Sequence, residues 1–459
     1  MKLGWDHAFL LVVVLSAAYS TSFLFVNEGM WWDEAVYLGL SHGLMEGHYS
    51  LYSGTSVESF RQPLLPLVLA ALGIDTVFPS RVVVLLFGLA TIPLVYLAGR
   101  RVYGRTEGLM AAAVFASFSQ FLFFQSKTLT EPLFTFFFAL SLLFLYGHKK
   151  IAHPFLAGVA TGLAFMARYP GGILFPIYAL WLLKKSGPRS AAAFVSGSLV
   201  GLIPLFLLGT AYYGNPFGGL MTSLTIVTGL QPDPWYFYAA RAAETFGPLA
   251  LAVLAGATLE VTRRRPSLFL TICAVAVLTL SLQTHKEVRF LVAFFPAFAL
   301  VAASWWRLAP NNRQFIALGV VAMCALSLSA ANDRVAGDFD GGKALREAAE
   351  YLKTLPEGAI LSEYYSSAYP PGGERAINKS VYAVNPWIEV LAGKEVLVFP
   401  KDPAHLSEIT ARYALIYDFE PVVPEYAAAY AREHYAKLRS FSQWGKPEAV
   451  VVYEIQGSR

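Results

Sequence analysis

Long apolar runs dominate this 459-residue chain, and the polar gaps between them alternate in kind. Runs at about 8–26, 80–99, 107–125, 131–147, 153–168, 171–183, 190–212, 244–261, 267–283, 290–306 and 314–331 predict about eleven spanning helices. Several fall short of the ~20 residues that a bilayer core requires. Those must stand upright, thin the bilayer, or lie inside the bundle. One set of gaps is short and basic: Arg100, Arg101 and Arg105; Lys149 and Lys150; Lys184, Lys185 and Arg189; Arg263, Arg264 and Arg265; Arg307 and Arg313. Positive charge in short loops assigns these to the cytoplasmic side. The other set, 27–62, 126–130, 213–243, 284–289 and everything after 331, is richer in aromatic and acidic residues and faces outward.

The apolar stretch Pro63–Ile74 decides the parity. A dozen helical residues reach about 18 Å, against a hydrocarbon core of about 30 Å. It is therefore expected at the outer interface or as a re-entrant segment. That leaves the N-terminus inside and the C-terminus outside. Met1–Val26 has features of a signal peptide, but its apolar run is long enough to span and is read as an uncleaved first helix.

After Ala331 charged residues return. Short β-prone runs (Ala359–Leu361, Val396–Phe399, Ala414–Tyr417, Ala449–Tyr453) alternate with helical stretches at 342–354, 403–412 and 424–436. The expected fold is a polytopic α-helical membrane domain over 1–331, with interfacial helices in an outer loop at 27–79. An extracytoplasmic α/β domain follows over 332–459. Asn378-Lys379-Ser380 fits a glycosylation acceptor on the outer side.

Composition agrees with this reading. The chain is 56% hydrophobic and 14% charged, where soluble domains carry about a quarter charged residues. A formal net charge of +4 gives no footprint for nucleic acid. Cys273 and Cys324 both sit inside apolar runs, which argues against a disulfide framework or a cysteine metal site.

The chemistry-bearing residues gather in the outer gaps. Trp31-Trp32-Asp33-Glu34-Ala35-Val36-Tyr37 places two carboxylates behind an aromatic pair at a helix start. Either Asp33 is an N-cap and Glu34 favours the helix dipole, or Asp33 is a general base whose partial desolvation raises its pKa. Arg61-Gln62-Pro63 closes the same loop with a cation, as a snorkelling rim residue or an anion ligand. In Lys127-Thr128-Leu129-Thr130-Glu131-Pro132, Thr128 and Glu131 fit a capping box; otherwise Glu131 is a third carboxylate beside Asp33. Arg168, between two short spans, needs an anionic partner. His285-Lys286-Glu287-Val288-Arg289-Phe290 compresses three potential cations and an acid into one outer turn.

Carboxylates and cations at a membrane surface suit transfer from a sugar on a polyprenyl phosphate. The phosphate leaving group needs charge stabilisation, which arginine forks supply. The acceptor hydroxyl needs a base, and a single displacement inverts the anomeric centre. A polyprenyl-linked lipid transporter or flippase is the rival reading; it would need polar groups at mid-membrane and repeated halves, and no repeat is visible. A scaffolding membrane protein would leave the outer cations unexplained.

At these residues the chain resembles the GT-C superfamily of membrane glycosyltransferases. Trp-Asp-Glu-Ala-Val-Tyr, Arg-Gln-Pro-Leu and Thr-Glu-Pro resemble the protein O-mannosyltransferase and aminoarabinose transferase branch. His-Lys-Glu-Val-Arg-Phe is similar to the signature of dolichyl-phosphate-mannose-dependent mannosyltransferases. The resemblance covers about 1–331. It implies Asp33 as base supported by Glu34 and Glu131, and Arg61, His285, Lys286 and Arg289 around the donor phosphate with Arg168 as a further contact. Trp32, Tyr37, Trp235 and Tyr236 are candidates for sugar or acceptor stacking. The oligosaccharyltransferase motif Trp-Trp-Asp-Tyr-Gly is absent. No cofactor is expected, although three carboxylates could hold Mg²⁺ or Mn²⁺. The expected partners are a polyprenyl-phosphate sugar, a hydroxyl acceptor and membrane lipids, and the expected location is the cell membrane.

Overall fold

The computed structural model describes residues 5–26, 29–49, 61–147, 151–228, 232–264, 266–308, 311, 313–338, 343–362, 386–399, 403–417, 425–443 and 445–455. Each apolar run of the sequence forms helix. The first half contains α1 (Trp5–Val26), α2 (Trp32–Glu46), α3 (Leu64–Ala71), α4 (Val77–Val102), α5 (Arg105–Ser117), α6 (Ser119–Phe124), α7 (Glu131–Leu145), α8 (Ala152–Ala167), α9 (Leu174–Ser186) and α10 (Pro188–Gly201). Then follow α11 (Ile203–Tyr213), α12 (Gly218–Thr228), α13 (Phe237–Ala240), α14 (Ala242–Phe246), α15 (Ala250–Thr262), α16 (Leu268–Leu282), α17 (Arg289–Val292), α18 (Phe295–Leu308), α19 (Arg313–Asp338) and α20 (Lys343–Thr354).

Among the described residues, Phe9–Val26, Val77–Val102, Ala242–Thr262 and Arg313–Ala336 are each long and apolar enough to cross a bilayer. The bent pair α10–α11 makes one more. Four expected single helices are interrupted, 244–261 by a 3₁₀ turn at Gly247–Leu249. The 190–212 run bends by 42° at Leu202, two residues before Pro204, whose ring cannot continue the ladder. The 107–125 run breaks at Phe118, which is extended; the freed Ser119 amide donates to Ser327 Oγ of α19 at 3.3 Å. The 290–306 run divides into α17 and α18 just before Pro296. The Pro63–Ile74 stretch contains only the eight-residue α3, about 12 Å long, which is far too short to span.

Bundle packing depends on small residues, because lipid tails offer helices no hydrophobic drive to associate. The α8–α10 contact shows this most clearly. A Cβ on Gly158 would lie 2.0 Å from the Phe194 carbonyl oxygen, and one on Gly197 1.9 Å from that of Phe155. Side chains at those positions would force the two backbones apart.

The C-terminal part forms a five-stranded sheet from β1 (Ile360–Ser362), β2 (Val396–Val398), β3 (Tyr413–Tyr417), β4 (Ala436–Gln443) and β5 (Lys446–Glu454). The order is β2-β1-β3-β5-β4, with β1 parallel to β2 and β3 and β5 antiparallel to β3 and β4. Leu345, Leu352, Ile360, Leu415 and Val452 form its core. The helix Pro386–Ala392 packs against both α20 and α2, and its Val390 and Leu391 join the core of the helical bundle. That helix and β4 were not expected from the sequence. The expected helix at 403–412 is a 3₁₀ segment, Pro403–Glu408, and Asn378 lies outside the described residues.

Candidate active site

The start of α2 is set by Trp31, whose extended backbone makes it the N-cap. Its amide donates to Glu34 Oε2 at 2.9 Å, so Glu34 rather than Asp33 performs the capping. Gly47, at φ +90°, closes the helix in the left-handed region that favours glycine.

Glu34 is fully buried. It accepts from Arg81 Nε at 2.9 Å, Arg81 Nη2 at 3.0 Å and the Thr128 amide at 2.8 Å, and Lys127 Nζ stands 3.9 Å away. Burial pushes its carboxyl up, but Arg81 and then Lys127 outweigh burial and hold it below the ordinary value. Arg81 and Lys127 both also donate to the Gly29 carbonyl. Glu34 thus fastens α2 to α4 and to the turn before α7.

Asp33 has different partners. Its Oδ1 lies 2.7 Å from Arg61 Nη2, and its Oδ2 2.5 Å from Arg289 Nη1. The carboxyl is buried, which alone would raise its pKa; Arg61 and Arg289, with Arg168 further off, overcome this and hold it far below the carboxylate range. The expectation of a raised pKa is therefore wrong for this state. Desolvation is present as expected, but two guanidiniums more than offset it.

Glu131 at the start of α7 is fully buried and pairs with Arg168 Nη1, at the C-cap of α8. Thr128 does not cap this helix: its hydroxyl bonds that of Ser80 at 2.6 Å, and the N-cap is Thr130. Glu131 Oε2 and Arg168 Nε are both buried and carry no hydrogen-bond partner among the described residues. The Arg168 guanidinium lies 5.2 Å from the Phe290 ring centre, which joins this pair to the 285–290 turn.

Within that turn, Glu287 grips Arg289 at Nε and, at 3.1 Å, at Nη2, while His285 Nε2 lies 2.9 Å from Glu287 Oε1. Arg289 outweighs burial at Glu287 and lowers its pKa to about 2, aided by hydrogen bonds from His285 and Arg289. Lys286 takes another course. Its ammonium donates to the carbonyls of Asp233 and Gln283, both at 2.6 Å, and its amide donates to Asp233 Oδ2 at 2.8 Å. Lys286 and His285 thus bind the 232–238 segment and Glu287, and neither pairs with Asp33.

Tyr37, one turn after Asp33, is buried and within electrostatic reach of Asp33, Arg61, Arg168 and Glu131. Trp235 and Tyr236 are 75% and 52% exposed and pack edge to face on each other. The Trp32 side chain lies outside the described residues. Arg241 pairs with Glu244. Among the described residues no group of three or more His, Cys, Asp or Glu side chains is arranged to hold a metal ion.

Three participants were not singled out by sequence reasoning. Arg81 had a signal, as a cation near the start of the apolar helix Val77–Val102, at the opposite end from the basic pair Arg100 and Arg101. Glu287 was visible only as the acid among the cations of its turn. Asp233 gave no signal, since its partner lies 53 residues away.

The fold is the GT-C fold: a polytopic helical membrane bundle with a small C-terminal α/β domain. ArnT from Cupriavidus metallidurans bound to undecaprenyl phosphate superposes with a TM-score of 0.71 at 12% identity, covering 97% of both chains. The archaeal oligosaccharyltransferase AglB from Archaeoglobus fulgidus, in complex with an inhibitory peptide and a dolichol-phosphate, gives 0.60 at 15% identity over 98% of this chain and 76% of that one. Residues 63–210 match the family model described as dolichyl-phosphate-mannose-protein mannosyltransferase. That segment contains Glu131 and Arg168 but not Asp33, Arg61 or Arg289. No curated protein matches by sequence.

Proposed function

We propose that this protein transfers a single sugar, mannose or another hexose, from a polyprenyl- or dolichyl-phosphate donor to a hydroxyl acceptor, with inversion. The observation that carries this reading is the seating of Asp33 between Arg61 and Arg289. The two guanidiniums are suited to a phosphate. The carboxylate beside them is suited to a hydroxyl proton. The acceptor oxygen bonds to the anomeric carbon as the carbon–oxygen bond to phosphate breaks. The breaking bond's electron pair leaves with the phosphate, and the acceptor proton passes to Asp33.

Charge supports the assignment. Asp33, Glu34, Glu131 and Glu287 stand against Arg61, Arg81, Lys127, Arg168 and Arg289, a surplus of one positive charge. A phosphodiester donor brings one negative charge. After transfer the lipid phosphate carries a second, which the proton on Asp33 balances. The site is therefore matched to donor and product alike.

The cluster lies at helix ends: the starts of α2, α7 and α17 and the C-cap of α8. Arg100 and Arg101 occupy the far end of α4 from Arg81. With the positive-inside rule this supports a cytoplasmic N-terminus and an extracytoplasmic site and C-terminal domain. A lipid transporter would instead concentrate polar groups at mid-depth. Binding of undecaprenyl phosphate and dolichol-phosphate by the structurally similar ArnT and AglB supports a lipid-phosphate carrier.

The test is transfer of radiolabel from a polyprenyl-phosphate sugar by purified protein in membranes. The expected result is transfer by wild type and a loss of about 10²–10⁴-fold in Asp33→Asn. Full activity in the variant would refute the base assignment.

A further inference from the structure

Resting on that reading, we propose that Asp33 and the donor phosphate compete for the same two arginines, so that lipid-phosphate binding is what frees the base. In the structure both oxygens of Asp33 are taken, one by Arg61 Nη2 at 2.7 Å and the other by Arg289 Nη1 at 2.5 Å. Each oxygen keeps a lone pair, but two adjacent positive charges lower the carboxylate's affinity for a hydroxyl proton.

Arg289 is built to change partner without moving. Glu287 holds its Nε and Nη2, leaving Nη1 as the edge given to Asp33. The rings of Trp31 and Phe290 each lie 5.9 Å from its guanidinium carbon. When a phosphate oxygen accepts from Nη1, the guanidinium stays on Glu287 and only Asp33 loses a partner. Asp33 remains buried, so once its cations are shared with an anion, desolvation favours taking up a proton. The acceptor hydroxyl supplies that proton. After transfer the lipid phosphate departs, the arginines return to Asp33, and the proton is expelled. Donor binding must therefore precede acceptor activation.

The competition makes a prediction that a simple phosphate clamp does not. An asparagine at position 33 accepts only as a neutral amide and contests the arginines far more weakly than a carboxylate, so Asp33→Asn should lose transfer while binding lipid phosphate at least ten-fold tighter than wild type. The measurement is equilibrium binding of undecaprenyl phosphate to the purified full-length proteins in lipid nanodiscs. Equal or weaker binding by a folded Asp33→Asn variant would overturn the competition and leave the transferase reading intact. Absence of binding to wild type and variant alike would overturn both. If the variant does not fold, the wild type still decides the matter by infrared difference spectroscopy with ¹³C-carboxyl aspartate. Undecaprenyl phosphate should shift an aspartate carboxylate band, and an unchanged band in protein that binds the lipid would sink the proposal.

Discussion

Arg289 Nη1 lies 2.5 Å from Asp33 Oδ2, although 256 residues separate the two in the chain. This contact joins the start of α2 to the start of α17 and gives the proposed base and a proposed phosphate ligand a common address. Replacing Asp33 by Asn should lower single-turnover transfer by about 10²–10⁴-fold, the usual contribution of a general base. Arg61→Gln and Arg289→Gln should act chiefly on the donor, raising its KM more than they lower kcat. Steady-state kinetics with varied donor would separate the two effects.

Glu287 touches Arg289 and not Asp33, so it acts through the arginine. Glu287→Gln weakens the grip on Nε and Nη2 and removes one negative charge beside the guanidinium. Donor KM should rise several-fold with a smaller change in kcat. Equal loss in kcat at saturating donor would instead place Glu287 in the chemical step.

Glu34 has a structural task. It is fully buried and is the acid facing both Arg81 and Lys127. Glu34→Gln leaves those cations without their counter-charge, and breaking a buried pair in this way costs about 3–5 kcal/mol. Thermal unfolding in detergent should show a large drop in midpoint. A drop as small as that of a surface substitution would contradict the role given to Glu34.

Acid should destabilise the site in a defined window. The Glu287 pKa is about 2 in the folded protein, against about 4.3 for a free glutamate. A group with a depressed pKa contributes its stability above the unfolded value and loses it as pH falls through the folded value. Asp33 shifts in the same direction. Melting temperature should therefore be insensitive to these groups above about pH 5 and fall between about pH 4 and 2. Glu287→Gln should flatten that decline.

The α8–α10 contact predicts a different failure. Gly197→Leu and Gly158→Leu place a Cβ within 2.0 Å of a facing carbonyl oxygen, so the helices must separate. Both variants should lose folded protein on size-exclusion chromatography, whereas Gly319→Leu, with nothing within 4 Å of its Cβ, should not.

The bundle was legible because lipid imposes a coarse code: apolar runs, basic ends, and an eight-residue α3 too short to alter the parity. The interruptions at Phe118 and Leu202 were less legible, since hydropathy is blind to a backbone amide that finds Ser327 or to a proline two residues ahead. Asp33, Arg61, Glu131, Arg168 and Arg289 were noticed as costly charges, and the structure brings them together. Their pairing was beyond the sequence: nothing in the chain order assigns Glu34 to Arg81 and Asp33 to Arg61. Strand β4 escaped notice because it is half exposed and alternates polar with apolar residues, leaving no apolar run. The helix Pro386–Ala392 is too short to show a clear period.

That same short helix has a consequence for the whole molecule. It rests on α2, whose first turn carries Asp33, so the C-terminal sheet domain and the proposed base share a wall. Grafting a foreign C-terminal module onto this bundle, to redirect the proposed acceptor for example, would require its underside to reproduce the seat now made by Val390 and Leu391. Without that match the transplant would disturb the aspartate it was meant to serve.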